Sequence, residues 1–237
     1  MKYASEMSRL EAEQIVNDSI FILPLGSLEQ HGPHLPLGTD YYTAEELSRR
    51  VALRIENSII LPGLPFGYSW VWRDIPITVT IREKTLEEVL KEIAYSICRF
   101  KAKALVVING HLANESALKY AARDLVDEIP LKFFYFSLPE INKFPVDSNP
   151  SSLTIHAEEI ETSLILSVRP DLVNMSLAKP EYPVRPKSYG CSALSLGILS
   201  KSGVFGDPSV ATKEKGEIYY EIMADFIFSV LKEEKIV

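Results

Sequence analysis

Residues 19–40 read SIFILPLGSLEQHGPHLPLGTD, and this stretch decides the fold. Its opening is an apolar run without polar alternation, as expected of a strand buried on both faces of a parallel sheet. Pro24 ends that run, and a loop crowded with Gly26, Gly32, Pro33, Pro36 and Gly38 follows. Helical periodicity then takes over from about Thr43 in YYTAEELSRRVALRIE. Residues 104–111, ALVVINGH, repeat the pattern: an apolar strand running into a glycine and a histidine.

On either side the chain keeps alternating between strand and helix. The N-terminal 16 residues read as a short amphipathic helix, residues 57–69 as a strand and a loop, and residues 74–81 as a strand with Ile75, Ile77, Val79 and Ile81 on one face. Residues 86–101 form an amphipathic helix, about 114–126 another, and 131–138 an apolar strand. A loop rich in Pro, Asn and Ser spans 139–154, a helix stopped by Pro170 spans 161–168, and 180–206 is irregular. A long helix over 211–234 closes the chain. Such alternation predicts an α/β fold, a three-layer α/β/α sandwich with a mostly parallel central sheet, as a single domain over 1–237. Ligands of such sheets gather at the carboxyl ends of the strands, where both glycine-histidine loops lie.

Composition narrows the function. The 237 residues are 46% hydrophobic and 24% charged, enough for one sizeable core, and no apolar run approaches a membrane span. A net charge of −7 argues against nucleic acid or an anionic membrane as main partner. Cys98 and Cys191 are the two cysteines, so a disulfide framework is out of reach and a cytoplasmic location is expected.

The four histidines, His31, His34, His111 and His156, all fall in clusters that could carry chemistry. Glu29, His31, His34 and Asp40 offer carboxylates and imidazoles on a proline-stiffened loop, as a divalent-metal site with oxygen and nitrogen ligands requires. If residues 29–31 are extended, Glu29 and His31 point to one side. Asn109-Gly110-His111 sits at a strand end, where Gly110 permits an unusual turn. His156 precedes Glu158, Glu159 and Glu161 at a helix start; the acids suit the helix dipole, whereas His156 suits a proton shuttle. With no cysteine in any cluster, the metal class is Zn, Mn, Fe or Co, and two ions about 3.5–4 Å apart bridged by an Asp would be a hydrolytic arrangement.

LPLGSLEQHGPHLPLGTD at 23–40 resembles the signature of the creatininase family of amidohydrolases, and the likeness continues in NGH…N at 109–114, HAEEIETSLILSVRPDLV at 156–173 and GVFGDPSVATKEKG at 203–216. The resemblance implies Glu29, His31, Asp40 and His111 as metal ligands, with Asp40 bridging two divalent ions, Zn and/or Mn, with Fe also compatible. Creatininase has a further glutamate two residues beyond the NGH histidine, where this chain has Ala113; the implied substitute is Glu161, with Glu159 as near competitor. His156 matches the substrate-facing histidine, so His156 and Glu161 are the implied catalytic residues. Ser69 and Trp70 of the GYSW loop are candidates for lining a substrate pocket, and His34 for orienting a ligand or contacting substrate. Ser151, Ser152, Leu153 and Thr154 stand where creatininase carries a tryptophan-rich lid, which turns expectation away from creatinine itself.

The implied activity is hydrolysis of a C–N amide bond, cyclic amide or formamide, in a small polar substrate: a metal-activated bridging water attacks and His156 protonates the leaving nitrogen. One alternative is deformylation of an amino-pyrimidine ribosyl monophosphate in flavin or deazaflavin biosynthesis, with Arg73, Arg82, Arg185 and Lys187 as candidate phosphate contacts. Another is a non-catalytic scaffold stabilised by metal. The family's ring-like assemblies imply a homo-oligomer, a hexamer.

Overall fold

The computed structural model describes residues 1–138, 156–184 and 186–237. The loop at 139–154, with Ser151 to Thr154, and Arg185 lie outside the described residues. Among the described residues five strands form one sheet: β1 (Lys2–Tyr3), β2 (Ile20–Leu25), β3 (Ser58–Ile60), β4 (Ala104–Asn109) and β5 (Lys132–Ser137). Their order is β1-β3-β2-β4-β5 and every pairing is parallel.

The central strands are apolar throughout because both sheet faces are covered. Ile20 and Ile22 of β2 with Val106 and Ile108 of β4 face α2 (Thr39–Leu53), α5 (Glu159–Val168) and α6 (Lys213–Glu233). Phe21 and Leu23 with Leu105 and Val107 face α3 (Glu83–Cys98) and α4 (Glu115–Glu128), with Ile15 of α1 (Arg9–Ile15) at the margin. Three layers result, as the sequence pattern predicts. Among the described residues no helix is long and apolar enough to cross a membrane.

One register positions the site. Ile20 pairs with Ala104 and Leu25 with Asn109, so the two motif strands are neighbours that end level. Their loops therefore leave the sheet side by side.

Three expectations need correction. Residues 74–81 form no strand: Val79 makes only an isolated bridge to Leu28, and Ile77 is 69% exposed with φ +66°. Pro76 removes a donor and Ile77 turns the chain out of the extended region, so alternation alone could not hold a strand there. α2 begins at Thr39, four residues earlier than its periodicity suggests, which puts Asp40 in its first turn. At the N-terminus only Arg9–Ile15 is α-helical, started by a capping box between Ser8 and Glu11, while Lys2–Tyr3 join the sheet edge beside β3.

Candidate metal centre

Two glycines allow the first turn of α2 to press on the strand ends. A Cβ on Gly110 would lie 2.1 Å from the Asp40 carbonyl oxygen, and one on Gly26 would lie 2.4 Å from Tyr41 Cα. No other residue tolerates such an approach, and it lowers Asp40 between the loops after β2 and β4. Asparagines then lock those loops. Asn114 donates to the Gly26 carbonyl and to Asn109 Oδ1 and accepts from the Tyr68 N–H at 2.9 Å; Asn109 donates to the His111 carbonyl at 2.8 Å.

Asp40 is the centre of the cluster. Its Oδ1 lies 3.0 Å from His31 Nε2 and its Oδ2 lies 2.9 Å from His111 Nδ1. Glu161 Oε2 is 3.7 Å from His31 Nε2, Glu29 Oε2 is 3.5 Å from His111 Nε2, and Glu29 Oε1 is 3.9 Å from His156 Nδ1. Glu29 and His31 are fully buried and share the site, as an extended 29–31 segment requires. Ala157, in the left-handed region at φ +52°, turns the chain between His156 and α5 and donates its N–H to Glu161 Oε2 at 2.6 Å.

These side chains fit divalent ions. Both carboxylate oxygens of Glu29 are buried and receive no hydrogen bond, a costly arrangement unless a cation completes it. Three triads bring ligand atoms within 4.8 Å of one another: Glu29-Asp40-His111, His31-Asp40-Glu161 and Glu29-His31-His156. The first two share only Asp40, and a carboxylate has two oxygens with which to bridge. Filling the second and third together would demand that one imidazole edge of His31 serve two ions. Filling the first and third would leave over Glu161, a half-buried carboxylate that faces His31, whereas the first and second leave over only His156, which is stable as a neutral ring. Oxygen and nitrogen donors without sulfur suit Zn or Mn.

Charge within the cluster follows from burial and mutual attraction. Burial opposes a charge on His31, but Asp40, Glu161 and Glu29 outweigh it and push its pKa up to about 10. His111 rises in the same way to about 9, against burial, through Glu29 and Asp40. Burial would raise Asp40, yet His31 and His111 hold it well below the usual carboxylate range. Glu29 and Glu161 are raised, chiefly by burial. His156 is held well below the usual imidazole range by burial and by His31.

The remaining sequence candidates surround this core. Glu159 turns away to α6, bonding Lys215 Nζ at 2.6 Å and Tyr219 Oη at 3.3 Å. Glu158 caps α5, accepting from the N–H groups of Ile160 and Glu161. His34 stands behind the cluster with Nε2 2.9 Å from Thr162 Oγ1, beside Glu161 in sequence. Ser69 is fully buried, its hydroxyl shared with Ser27. Trp70 is half-buried under the Arg73 guanidinium, which lies 3.8 Å over its ring. Arg82 precedes α3, and its side chain borders an apolar groove of about 920 Å³ beside that helix.

Sequence reasoning missed Gln30 and Trp72. The Gln30 carbonyl lies 2.8 Å from His156 Nε2, and Trp72 stacks on the His156 ring at 4.7 Å. Position 30 lies between two ligand candidates and position 72 close to Trp70, the one signal either residue offered.

The sequence and the fold are similar to those of known proteins. A family model described as creatininase, creatinine amidohydrolase, matches residues 5–231. The chain belongs to the creatininase family. It is 27% identical to creatinine amidohydrolase of Pseudomonas putida over 94% of this chain and 93% of that protein. Identity to a mycofactocin precursor peptide peptidase of Mycobacterium ulcerans (strain Agy99) is 30%, covering 86% and 81%. Identity to a 2-amino-5-formylamino-6-ribosylaminopyrimidin-4(3H)-one 5'-monophosphate deformylase of Methanothermobacter marburgensis is 28%, covering 91% and 94%. Among solved structures, a Mn creatininase superposes with a TM-score of 0.85 at 27% identity, covering 98% of each chain. A Zn–Zn creatininase variant does so at 0.86 and 27%, covering 98% and 97%. Membership in this family brings the cluster into line with the Zn and Mn forms of its structural neighbours.

Proposed function

We propose that this creatininase-family chain is a metal-dependent amidohydrolase that cleaves a C–N bond in a small polar substrate. The observation that carries this reading is the pair of donor triads joined at Asp40, with His156 left over beside them. Glu29, Asp40 and His111 would hold one divalent ion, and His31, Asp40 and Glu161 the other, Zn and/or Mn. When bound, such ions supply an acidified water and a polarised carbonyl.

The chain's own residues do the rest. An amide nitrogen is a poor leaving group until protonated, so a group must carry a proton to it. His156 suits this task. Its Nε2 faces Gln30, 2.8 Å from the backbone carbonyl and 2.9 Å from the side-chain amide nitrogen, which leaves Nδ1 on the Glu29 side; in the tautomer that donates to the carbonyl, Nδ1 presents a lone pair. Nδ1 takes a proton during attack and returns it to the departing nitrogen. Glu161, oriented by the Ala157 N–H, is the carboxylate nearest to His31 after Asp40 and compensates for Ala113, which has no ligating side chain.

The relatives act by name on creatinine, a precursor peptide and a formylamino-pyrimidine, so the substrate class is the open variable. Assaying Mn- and Zn-loaded protein against lactams, formamides and short peptides tests the reading. Hydrolysis of at least one class, abolished by chelation, is expected; two tightly held ions with no hydrolysis anywhere would favour a metal-stabilised scaffold. By family resemblance we further propose one domain, cytoplasmic location and a homo-oligomeric ring, the last checked by light scattering on the purified protein.

A further inference from the structure

The ring of His156 is held by more than its hydrogen bond. Trp72, 2% exposed, stacks on it with ring centres 4.7 Å apart and planes 25° from parallel, and His31 packs on it at 4.3 Å. Trp72 is itself fixed. Its ring meets Phe205 edge-on at 5.9 Å, and the Phe205 N–H donates to the His156 carbonyl at 2.9 Å, closing a loop of contacts around the histidine. The backbone leading into Trp72 is tied down twice: Ser69 N–H donates to Thr80 Oγ1, and Ser195 Oγ donates to the Val71 carbonyl, each at 2.9 Å.

Two constraints therefore act on one imidazole. Gln30 selects which ring edge faces it, through its carbonyl at 2.8 Å and its side-chain amide nitrogen at 2.9 Å, because a flipped ring would offer carbon to both. A flat indole against the ring blocks the perpendicular orientation through which any flip must pass. Neither constraint is sufficient alone, since a hydrogen bond permits tilting and a stack permits sliding.

Resting on the amidohydrolase reading above, we propose that Trp72 is a positioning residue that holds His156 with Nδ1 toward the reacting atoms and so sets turnover rather than substrate affinity. Trp70, the tryptophan that sequence favours, stacks with Arg73 instead and has no such role.

Long-range ¹H–¹⁵N spectra of the Zn-loaded, ¹⁵N-histidine-labelled protein read the geometry directly, with His156→Ala identifying the signal among four histidines. Wild type is expected to show His156 as a single Nε2–H tautomer. Trp72→Met, which fills space without a flat face, should give averaged or broadened signals, and Trp72→Phe should keep the wild-type pattern. In kinetics, Trp72→Met should lower kcat about tenfold to a hundredfold with KM within about twofold, and Trp72→Phe should recover most of the loss. In a His156→Ala background Trp72→Met should add little.

An Nδ1–H tautomer in wild type overturns the proposal, as does a Trp72→Met protein with unchanged spectrum and kcat. A rise in KM at constant kcat would make Trp72 a substrate contact, and an undiminished loss in the His156→Ala background would make it a fold residue; either result overturns the proposal. Should wild type hydrolyse no amide, the function proposal fails while the spectra still decide the positioning. If Trp72→Met does not fold, the wild-type and Trp72→Phe spectra carry the test.

Discussion

A single missing β-carbon determines whether Asp40 can reach two imidazoles. Gly110 has the Asp40 carbonyl where its side chain would stand, 2.1 Å from an ideal Cβ, and the obstacle is backbone that cannot rotate away. Gly110→Ala should therefore push α2 off the strand ends, costing about 2–3 kcal/mol in urea unfolding and weakening metal binding at least about tenfold. A variant as stable as wild type with unchanged metal titration would refute this account of the site. The two acids at the start of α5 give a paired prediction. Glu161→Gln should reduce bound metal from about two ions to about one, because it removes a ligand from one triad only. Glu159→Gln should keep both ions and cost under about 1 kcal/mol, because its partner Lys215 is half-exposed and the amide can still accept from it. Metal analysis of the two variants reads the difference.

Helices α2 and α6 are joined through Arg50, whose side chain is 10% exposed and meets Glu46, Glu217 and Glu221 while its guanidinium lies 4.8 Å over the Tyr220 ring. Because α2 supplies Asp40, this joint is also a support for the site. Arg50→Met keeps the apolar stem but leaves three carboxylates facing one another, so a loss of about 2–4 kcal/mol in urea unfolding is expected. Arg54→Met removes the pairs with Glu221 and Asp225 on the more exposed rim and should cost under about 1 kcal/mol. Equal losses would mean that the joint is not centred on Arg50. Elements of this kind differ in how legible they are in sequence. Strands β2 and β4 could be read from their unbroken apolar runs, and α3 from its periodic face. The start of α2 could not, since its N-cap is Gly38 and no side chain there announces a helix. Residues 74–81 alternate like a strand but join no ladder, making an isolated bridge to Leu28 and single bonds to Gly67 and Ser69. Likewise in the site, histidines and acids stand out by their chemistry, whereas Gln30 acts through its backbone carbonyl and its neutral amide and Trp72 through packing, which no motif spells out.

At the scale of the whole molecule, the cluster couples folding to pH and to metal in opposite directions. His31 and His111 have folded pKa values of about 10 and about 9, above the ordinary imidazole value of 6.5. Their contribution to stability is complete below 6.5 and is lost as pH rises through 9 and 10, because the folded chain then must give up protons that the unfolded chain has already released. Glu29 and Glu161, raised by burial, hold protons that the unfolded chain also lacks at neutral pH and act with the same sign. Asp40 is depressed, so its contribution is lost only in strong acid; His34, lowered by burial to about 4, and His156, also lowered, titrate differently from the unfolded chain only below 6.5. Between pH 7 and 9 the raised groups alone decide the sign. The metal-free protein should then lose thermal stability as pH rises across that window. Metal must displace those same protons to bind, so its affinity rises with pH. At fixed free Mn, the increase in Tm caused by the ion should grow from pH 7 to pH 9 while the metal-free Tm falls. Calorimetry in buffers of different ionisation enthalpy should in addition register protons released on binding at pH 7. A metal-free Tm that climbs across the window, or binding that releases no protons, would show that the ligands are not the mutually protonated set described.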